Sequence, residues 1–268
     1  MSEYKFLALD IDGTLTNSKK EITPAVHSEI RRLQENGIPV ALVSGRPVLG
    51  IKHVADELDF SSYNCYIFAF NGGKVIDCRT NEVVFSQPIP IPLAHEVCQA
   101  AEEYNMAIVT YKGQYIIASE PENQYTKQES YITRIPVRGV ESMEEEIDFE
   151  PDKFLFVGEP SRLEALLPVM QKRFEGRLNI FRSEPGFMEI VPLGIDKAKS
   201  LDRLLETLHM DSSQLVACGD GFNDVSMVNF AGMGVAMGNA CEETKAVANY
   251  IAPSCDEDGV ADAIRKFF

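Results

Sequence analysis

The sequence predicts an α/β fold: a parallel sheet flanked by helices and interrupted by an α+β insertion. Short, wholly apolar runs alternate with amphipathic helical stretches near both ends of the 268-residue chain. A proline-rich break and roughly a hundred residues of different rhythm separate these two parts. The apolar runs also end on polar residues, as strands do at the ligand-binding edge of an open α/β sheet.

The first run, Phe6-Leu7-Ala8-Leu9, stops at Asp10-Ile11-Asp12-Gly13-Thr14-Leu15. Residues i and i+2 of an extended segment point the same way, so both carboxylates can serve one small volume. Unpaired charge at the end of a buried strand costs on the order of several kcal/mol, comparable with the net stability of a domain. Gly13 lets the backbone turn sharply just beyond. Taken alone, a D-x-D here is equally well read as a turn that closes a strand.

Thr23-Pro24 then offers an N-cap followed by proline at the first helical position. Val26, Ile30 and Leu33 follow at helical spacing, and Gly37 stops the helix. A second strand over 39–43 ends at Ser44-Gly45-Arg46-Pro47. A short helix over 51–58 leads to a third strand over 66–70, which ends at Asn71-Gly72-Gly73. Short links between these elements fit a parallel sheet with right-handed crossovers.

Pro88-Ile89-Pro90-Ile91-Pro92 favours extended structure and reads as a linker. Beyond it, strand candidates cover 107–110, 115–118, 153–157, 179–181 and 188–191. One amphipathic helix carries Leu163, Leu166, Leu167, Met170 and Phe174. The division expected is a core of residues 1–86 and 188–268, with an α+β insert over 87–187 following the third core strand. From Gly194 the α/β rhythm resumes. A helix starting at Lys197 buries Ala198, Leu201, Leu204, Leu205 and Leu208. A strand over 215–218 ends at Gly219-Asp220-Gly221, another short strand lies near 234–237, and a last helix holds Val260, Ile264 and Phe267. The Glu144-Glu145-Glu146 run reads as solvated surface.

A net charge of −16 argues against a nucleic-acid groove and against an anionic membrane surface. The six cysteines show no C-x-x-C or zinc spacing and read as reduced thiols. No leader and no apolar run of ~18 residues is present, so a cytoplasmic protein is expected, as a monomer or weak homo-oligomer.

Asp10/Asp12, Ser44, Asn71 and Asp220 all fall at predicted strand ends, from distant parts of the chain. Three carboxylates without a histidine or cysteine ligand describe a hard, oxygen-rich site suited to Mg²⁺. Ser44 adds a hydroxyl beside the Gly45 amide, and Lys197 adds a positive charge able to meet a phosphate oxygen. Such equipment serves phosphoryl transfer, in which a carboxylate can itself be the nucleophile.

Four segments resemble the motifs of the haloacid dehalogenase superfamily, in order and spacing most like its Cof-type, cap-bearing phosphatases. They are Asp10-Ile11-Asp12-Gly13-Thr14-Leu15, Val43-Ser44-Gly45-Arg46, Gly194-Ile195-Asp196-Lys197 and Gly219-Asp220-Gly221-Phe222-Asn223-Asp224. The resemblance implies a Rossmann-like core with an inserted α+β cap. It also implies Mg²⁺-dependent hydrolysis of small phosphorylated metabolites, sugar phosphates foremost. Asp10 would attack phosphorus and bind Mg²⁺. Asp12 would exchange the proton with the leaving alcohol and the water while its carbonyl holds the ion, and Asp220 would complete the ligands. Asp224 would bind through water or orient Lys197. Ile11 and Gly45 would lend backbone amides to the phosphate, with Ser44, Lys197 and Asn223. Neighbouring carboxylates are expected to raise the pKa of Asp12. Arg46 could meet phosphate or form a structural ion pair. The cap would roof the crevice, and Tyr111, Lys112, Tyr115 and Lys153 are its candidates for substrate contact.

Rival readings are weaker. Gly232 to Gly238 has G-x-G-x-x-x-G spacing rather than that of a dinucleotide loop, and no Walker A or G-x-S-x-G occurs. His27, His53, His95 and His209 share no ligand spacing. A phosphomutase and a non-catalytic sugar-phosphate sensor remain as alternatives on the same fold.

Overall fold

The computed structural model describes residues 4–268. The chain divides into two compact units, one formed by the residues up to Phe85 together with Asp196–Phe268, the other by Ser86–Ile195. The first unit opens with β1 (Phe6–Leu9), α1 (Pro24–Glu35), β2 (Val40–Val43), α2 (Val48–Glu57) and β3 (Cys65–Ala69). Thr23 caps α1 by accepting the Val26 N–H at 3.3 Å, with Pro24 at the first position, where no N–H is needed. Two more strands follow, β4 (Lys74–Asp77), antiparallel to β3, and β5 (Glu82–Ser86) at the sheet's edge. The insertion therefore starts after β5, not after the third strand. These two strands are half exposed and give no continuous apolar run to read.

The inserted unit holds α3 (Ile91–Glu103), β6 (Ala107–Lys112), β7 (Tyr115–Ala118), α4 (Gln124–Thr133), β8 (Val137–Gly139) and α5 (Met143–Glu146). β9 (Phe154–Val157), α6 (Pro160–Arg173), β10 (Leu178–Glu184) and β11 (Phe187–Pro192) complete it. Its sheet runs β10-β11-β9-β6-β7-β8. Val97 of α3 and Leu163 and Met170 of α6 pack with Ile108, Phe154, Phe156 and Ile190 into its core. The expected boundary at 187/188 is corrected to Ile195/Asp196, because β11 pairs along its length with β10 and β9. The proline linker is also shorter than expected. Pro92 sits in the first turn of α3, where its missing N–H costs nothing. The acidic run is not simply solvated: Glu146 accepts from Lys112 at 2.9 Å and Arg138 at 2.6 Å.

The first unit resumes with α7 (Lys197–Thr207), β12 (Leu215–Gly219), α8 (Val225–Phe230), β13 (Met233–Ala236), α9 (Glu242–Val247), β14 (Tyr250–Ile251) and α10 (Gly259–Phe267). Strand order is β14-β13-β12-β1-β2-β3-β4-β5. β1 lies between β12 and β2, parallel to both, with Leu9 opposite Cys218 and Leu42. Every residue of β1, β2, β3 and β12 is buried, as in a parallel sheet covered on both faces. On one face Phe6, Ala8, Val43 and Phe68 meet Leu201, Leu204, Leu205 and Met227.

Candidate active site

β1 ends where its last partner bond is made: the Asp10 N–H donates to the Cys218 carbonyl at 3.0 Å. The Asp10 carboxylate thus leaves the sheet at its carboxyl edge, in the middle of the strand order. Lys197 opens α7, whose cap is Asp196, accepting the N–H groups of Ala198 and Lys199. Its ammonium donates to Asp10 Oδ1 at 2.7 Å and to Asp224 Oδ1 at 2.5 Å, and only 1% of the residue is exposed. Burial works against that charge, but the two carboxylates outweigh it and hold Lys197 protonated well above its usual range. Burial, reinforced by the Asp224 charge, pushes the Asp10 carboxyl up to about 8 against the pull of Lys197.

Asp224 is fully committed. Its Oδ2 accepts the N–H groups of Asp220 and Gly221 at 2.9 and 2.8 Å while Oδ1 holds Lys197. It is therefore placed to orient the lysine and the Asp220 loop. Asp220 Oδ1 accepts from the Thr14 hydroxyl at 3.0 Å. Burial and the Asp224 charge lift its carboxyl to about 6, with Thr14 working the other way. Gly13 closes the group. Its φ of +80° disfavours any side chain, and a Cβ would collide with the Asp220 carboxylate.

Carboxylate oxygens of Asp10, Asp220 and Asp224 lie within 4.8 Å of one another. This all-oxygen set suits a small divalent cation. Since Asp224 spends both oxygens on other partners, Asp10 and Asp220 are the side chains suited to hold one.

Asp12 behaves differently from expectation. Burial would raise its pKa, yet Arg46 and Lys20 more than reverse this and hold the carboxyl below its usual value. Arg46 grips it with both arms, Nε to Oδ2 and Nη2 to Oδ1, each at 2.7 Å, and Lys20 donates to Oδ1 at 2.7 Å. The raised pKa expected from neighbouring carboxylates is thus corrected, because two cations hydrogen-bonded to Asp12 outweigh its burial. Arg46 forms an ion pair here.

At the end of β2, the Ser44 N–H donates to the Phe68 carbonyl at 2.9 Å. Its hydroxyl accepts the Arg46 N–H at 3.2 Å, which leaves the hydroxyl proton to donate elsewhere. Asn71, in the left-handed region at φ 57°, donates its N–H to the Ser44 carbonyl and accepts from the Asn223 amide at 3.1 Å. A Cβ on Gly45 would press on the Asn71 amide at 3.3 Å, so these two loops are in close contact. Ile11 buries its side chain, and its carbonyl accepts the N–H and hydroxyl of Thr16 at 2.9 Å. The residues expected at strand ends thus share one edge of the first unit's sheet.

Thr14, Lys20 and Asn239 were not anticipated. Asn239 donates to the Gly13 carbonyl at 2.8 Å and reaches Asp220 Oδ2 at 3.4 Å. It lies just beyond β13, so the strand-end rule that found Ser44 and Asp220 would have found it too. In the inserted unit, Lys112 is tied to Glu146 and Asp148. Tyr111 and Lys153 instead join a buried polar group. Tyr111 donates to Glu129 at 2.5 Å, and Lys153 to Glu189 at 2.9 Å. Tyr115 is nearly half exposed.

A buried lysine thus stands clasped by two aspartates, beside a further carboxylate, at the carboxyl edge of a parallel sheet. The chain belongs to the haloacid dehalogenase-like hydrolases, whose family model matches residues 7–264. A haloacid dehalogenase-like hydrolase from Bacteroides thetaiotaomicron superposes with a TM-score of 0.95 at 41% identity, covering 99% of this chain and 100% of that one. The Bacillus subtilis 5-amino-6-(5-phospho-D-ribitylamino)uracil phosphatase YcsE is 29% identical over 266 residues, 99% of this chain and 96% of the relative. The HMP-PP phosphatase of Yersinia pseudotuberculosis is 25% identical over 269 residues, 96% and 93% of the two chains. The protein is a phosphatase of this family.

Proposed function

We propose that the protein is a Mg²⁺-dependent phosphomonoester hydrolase that works through an aspartyl-phosphate on Asp10. Its substrates would be small phosphorylated metabolites, sugar phosphates first among them. The observation that carries this reading is the Lys197 ammonium held between Asp10 and Asp224. It fixes one Asp10 oxygen and brings a buried positive charge to where a phosphate oxygen would rest, so the other Asp10 oxygen can face phosphorus.

Asp10, Asp220 and the Asp12 carbonyl would hold the ion, which when bound supplies charge neutralisation for the phosphoryl group. Ser44, the Ile11 and Gly45 amides and Asn223 would hold the phosphate. Asp12 would give a proton to the leaving alcohol and later take one from water, which requires it to leave the grip of Arg46 and Lys20. Relatives named for a phosphorylated ribitylaminouracil and for HMP-PP support a small, compact substrate.

A phosphate-release screen across sugar phosphates, nucleotides and cofactor phosphates with Mg²⁺ tests the reading. Steady release from sugar phosphates is expected, with a base-labile phosphoenzyme trapped on Asp10 and none in Asp10→Asn. Interconversion without release would favour the mutase. Wild-type turnover in Asp10→Asn would overturn the nucleophile.

A further inference from the structure

Among the described residues, the first unit leaves four large apolar side chains exposed: Val83, Val84, Phe222 and Ile251. Val83 and Val84 lie on β5 and Ile251 on β14, the two edge strands of the sheet. Phe222 is different. It is 70% exposed and sits on the loop at the carboxyl end of β12, two residues from Asp220 and two from Asp224.

Its backbone has little freedom. The Gly221 N–H donates to Asp224 Oδ2, and the Gly221 carbonyl accepts the Asp224 N–H at 3.0 Å and the Thr244 hydroxyl at 2.7 Å. Asn223, the next residue, is anchored on Asn71. A fixed base thus presents a bare aromatic ring to solvent beside the residues that would hold phosphate. One exposed ring is ordinary on a protein surface; what sets this one apart is its fixed place beside the site, where its apolar face is free to be covered by a bound molecule.

We propose that Phe222 is a specificity-determining platform against which the ring of the leaving group packs; this rests on the phosphatase reading above. A phosphate held by Asp10, Lys197 and Asn223 must project its ester substituent away from the sheet edge, past this loop. The ring offers a flat π-face without a hydrogen-bonding group, so it selects by shape. Cyclic substituents with an apolar face gain, and short acyclic ones do not.

Phe222→Ala tests the proposal through KM for a cyclic sugar phosphate (glucose 6-phosphate), a heteroaromatic one (pyridoxal 5′-phosphate) and an acyclic one (glycerol 3-phosphate). Wild type should prefer one or both cyclic compounds, which also says whether sugar or heteroaromatic rings are taken. In the variant, the preference over glycerol 3-phosphate should shrink by roughly 3- to 10-fold, with Phe222→Tyr restoring it. Equal KM increases for all three would mean that the ring merely supports the loop and would overturn the proposal, as would no change.

The chain has no tryptophan, so Phe222→Trp in the Asp10→Asn background gives a turnover-independent readout. Its fluorescence should respond to the ring compounds and not to glycerol 3-phosphate. Absence of that response refutes the platform whether or not wild type hydrolyses the compounds. A response to the ring compounds with no hydrolysis of any of the three by wild type leaves the platform standing and counts against the phosphatase reading instead.

Discussion

Replacing Lys197 by methionine keeps the length of the side chain and removes one cation from between two buried acids. Its ammonium stands 2.7 Å from Asp10 and 2.5 Å from Asp224, with the side chain wholly buried. Removing one partner of a buried ion pair costs about 3–5 kcal/mol, and here two carboxylates lose the same cation. At about 2–4 °C per kcal/mol for a chain of this size, melting should fall by ~6–20 °C in the transition of the unit that holds the site. The stranded acids can limit the loss by taking up a proton, so the deficit should be larger at about pH 8 than at about pH 5.5. Turnover should drop by at least ~10²-fold, because the phosphate loses its buried counter-charge. Calorimetry at both pH values with a phosphate-release assay reads all three effects. A variant melting within about 1 °C of wild type at pH 8 would refute the reasoning, and so would a deficit that grows on acidification.

Gly13→Ala should displace the Asp220 carboxylate and raise the Mg²⁺ concentration for half-maximal activity by about 10- to 100-fold, as measured by metal titration. Arg46→Leu releases Asp12 from its two-armed pair, so the limb of the pH–rate profile that belongs to Asp12 should move to higher pH; an unmoved profile counts against the pairing. In metal-free protein, Asp10 and Asp220 have carboxyl pKa values raised to about 8 and about 6. Their protonated forms are favoured by folding, so stability is greatest below the unfolded pKa of 3.8 and is lost as pH climbs through 6 and 8. Added Mg²⁺ should therefore stabilise increasingly across that window, and thermal melts with and without chelator would show no such trend if the acids were ordinary.

The candidate site is legible in the sequence where chemistry coincides with strand ends. Asp10, Ser44 and Asp220 each terminate an apolar run, and Lys197 stands at a helix start between two such runs. What escaped were contacts set by turns. The Arg46–Asp12 pair joins residues 34 apart through two separate loops, and nothing in either loop's composition fixes which way the guanidinium folds. The boundary error has a similar origin. Phe187–Pro192 is an apolar strand like those of the first unit, and only its pairing with β9 and β10 assigns it to the insertion. Proline at 92 misled because the same residue that ends a helix is tolerated in its first turn.

The place of β1 between β2 and β12 has a kinetic consequence. Among the described strands β1 is made before the others, yet one of its two neighbours begins at Leu215, some two hundred residues later. Synthesis proceeds from the N-terminus, so the whole Ser86–Ile195 unit is made while one edge of β1 still lacks its strand. Pairings of such long sequence separation close slowly, since loop entropy is lost before contacts repay it. The insertion, whose six described strands pair with one another, can be complete before the phosphatase sheet that carries it.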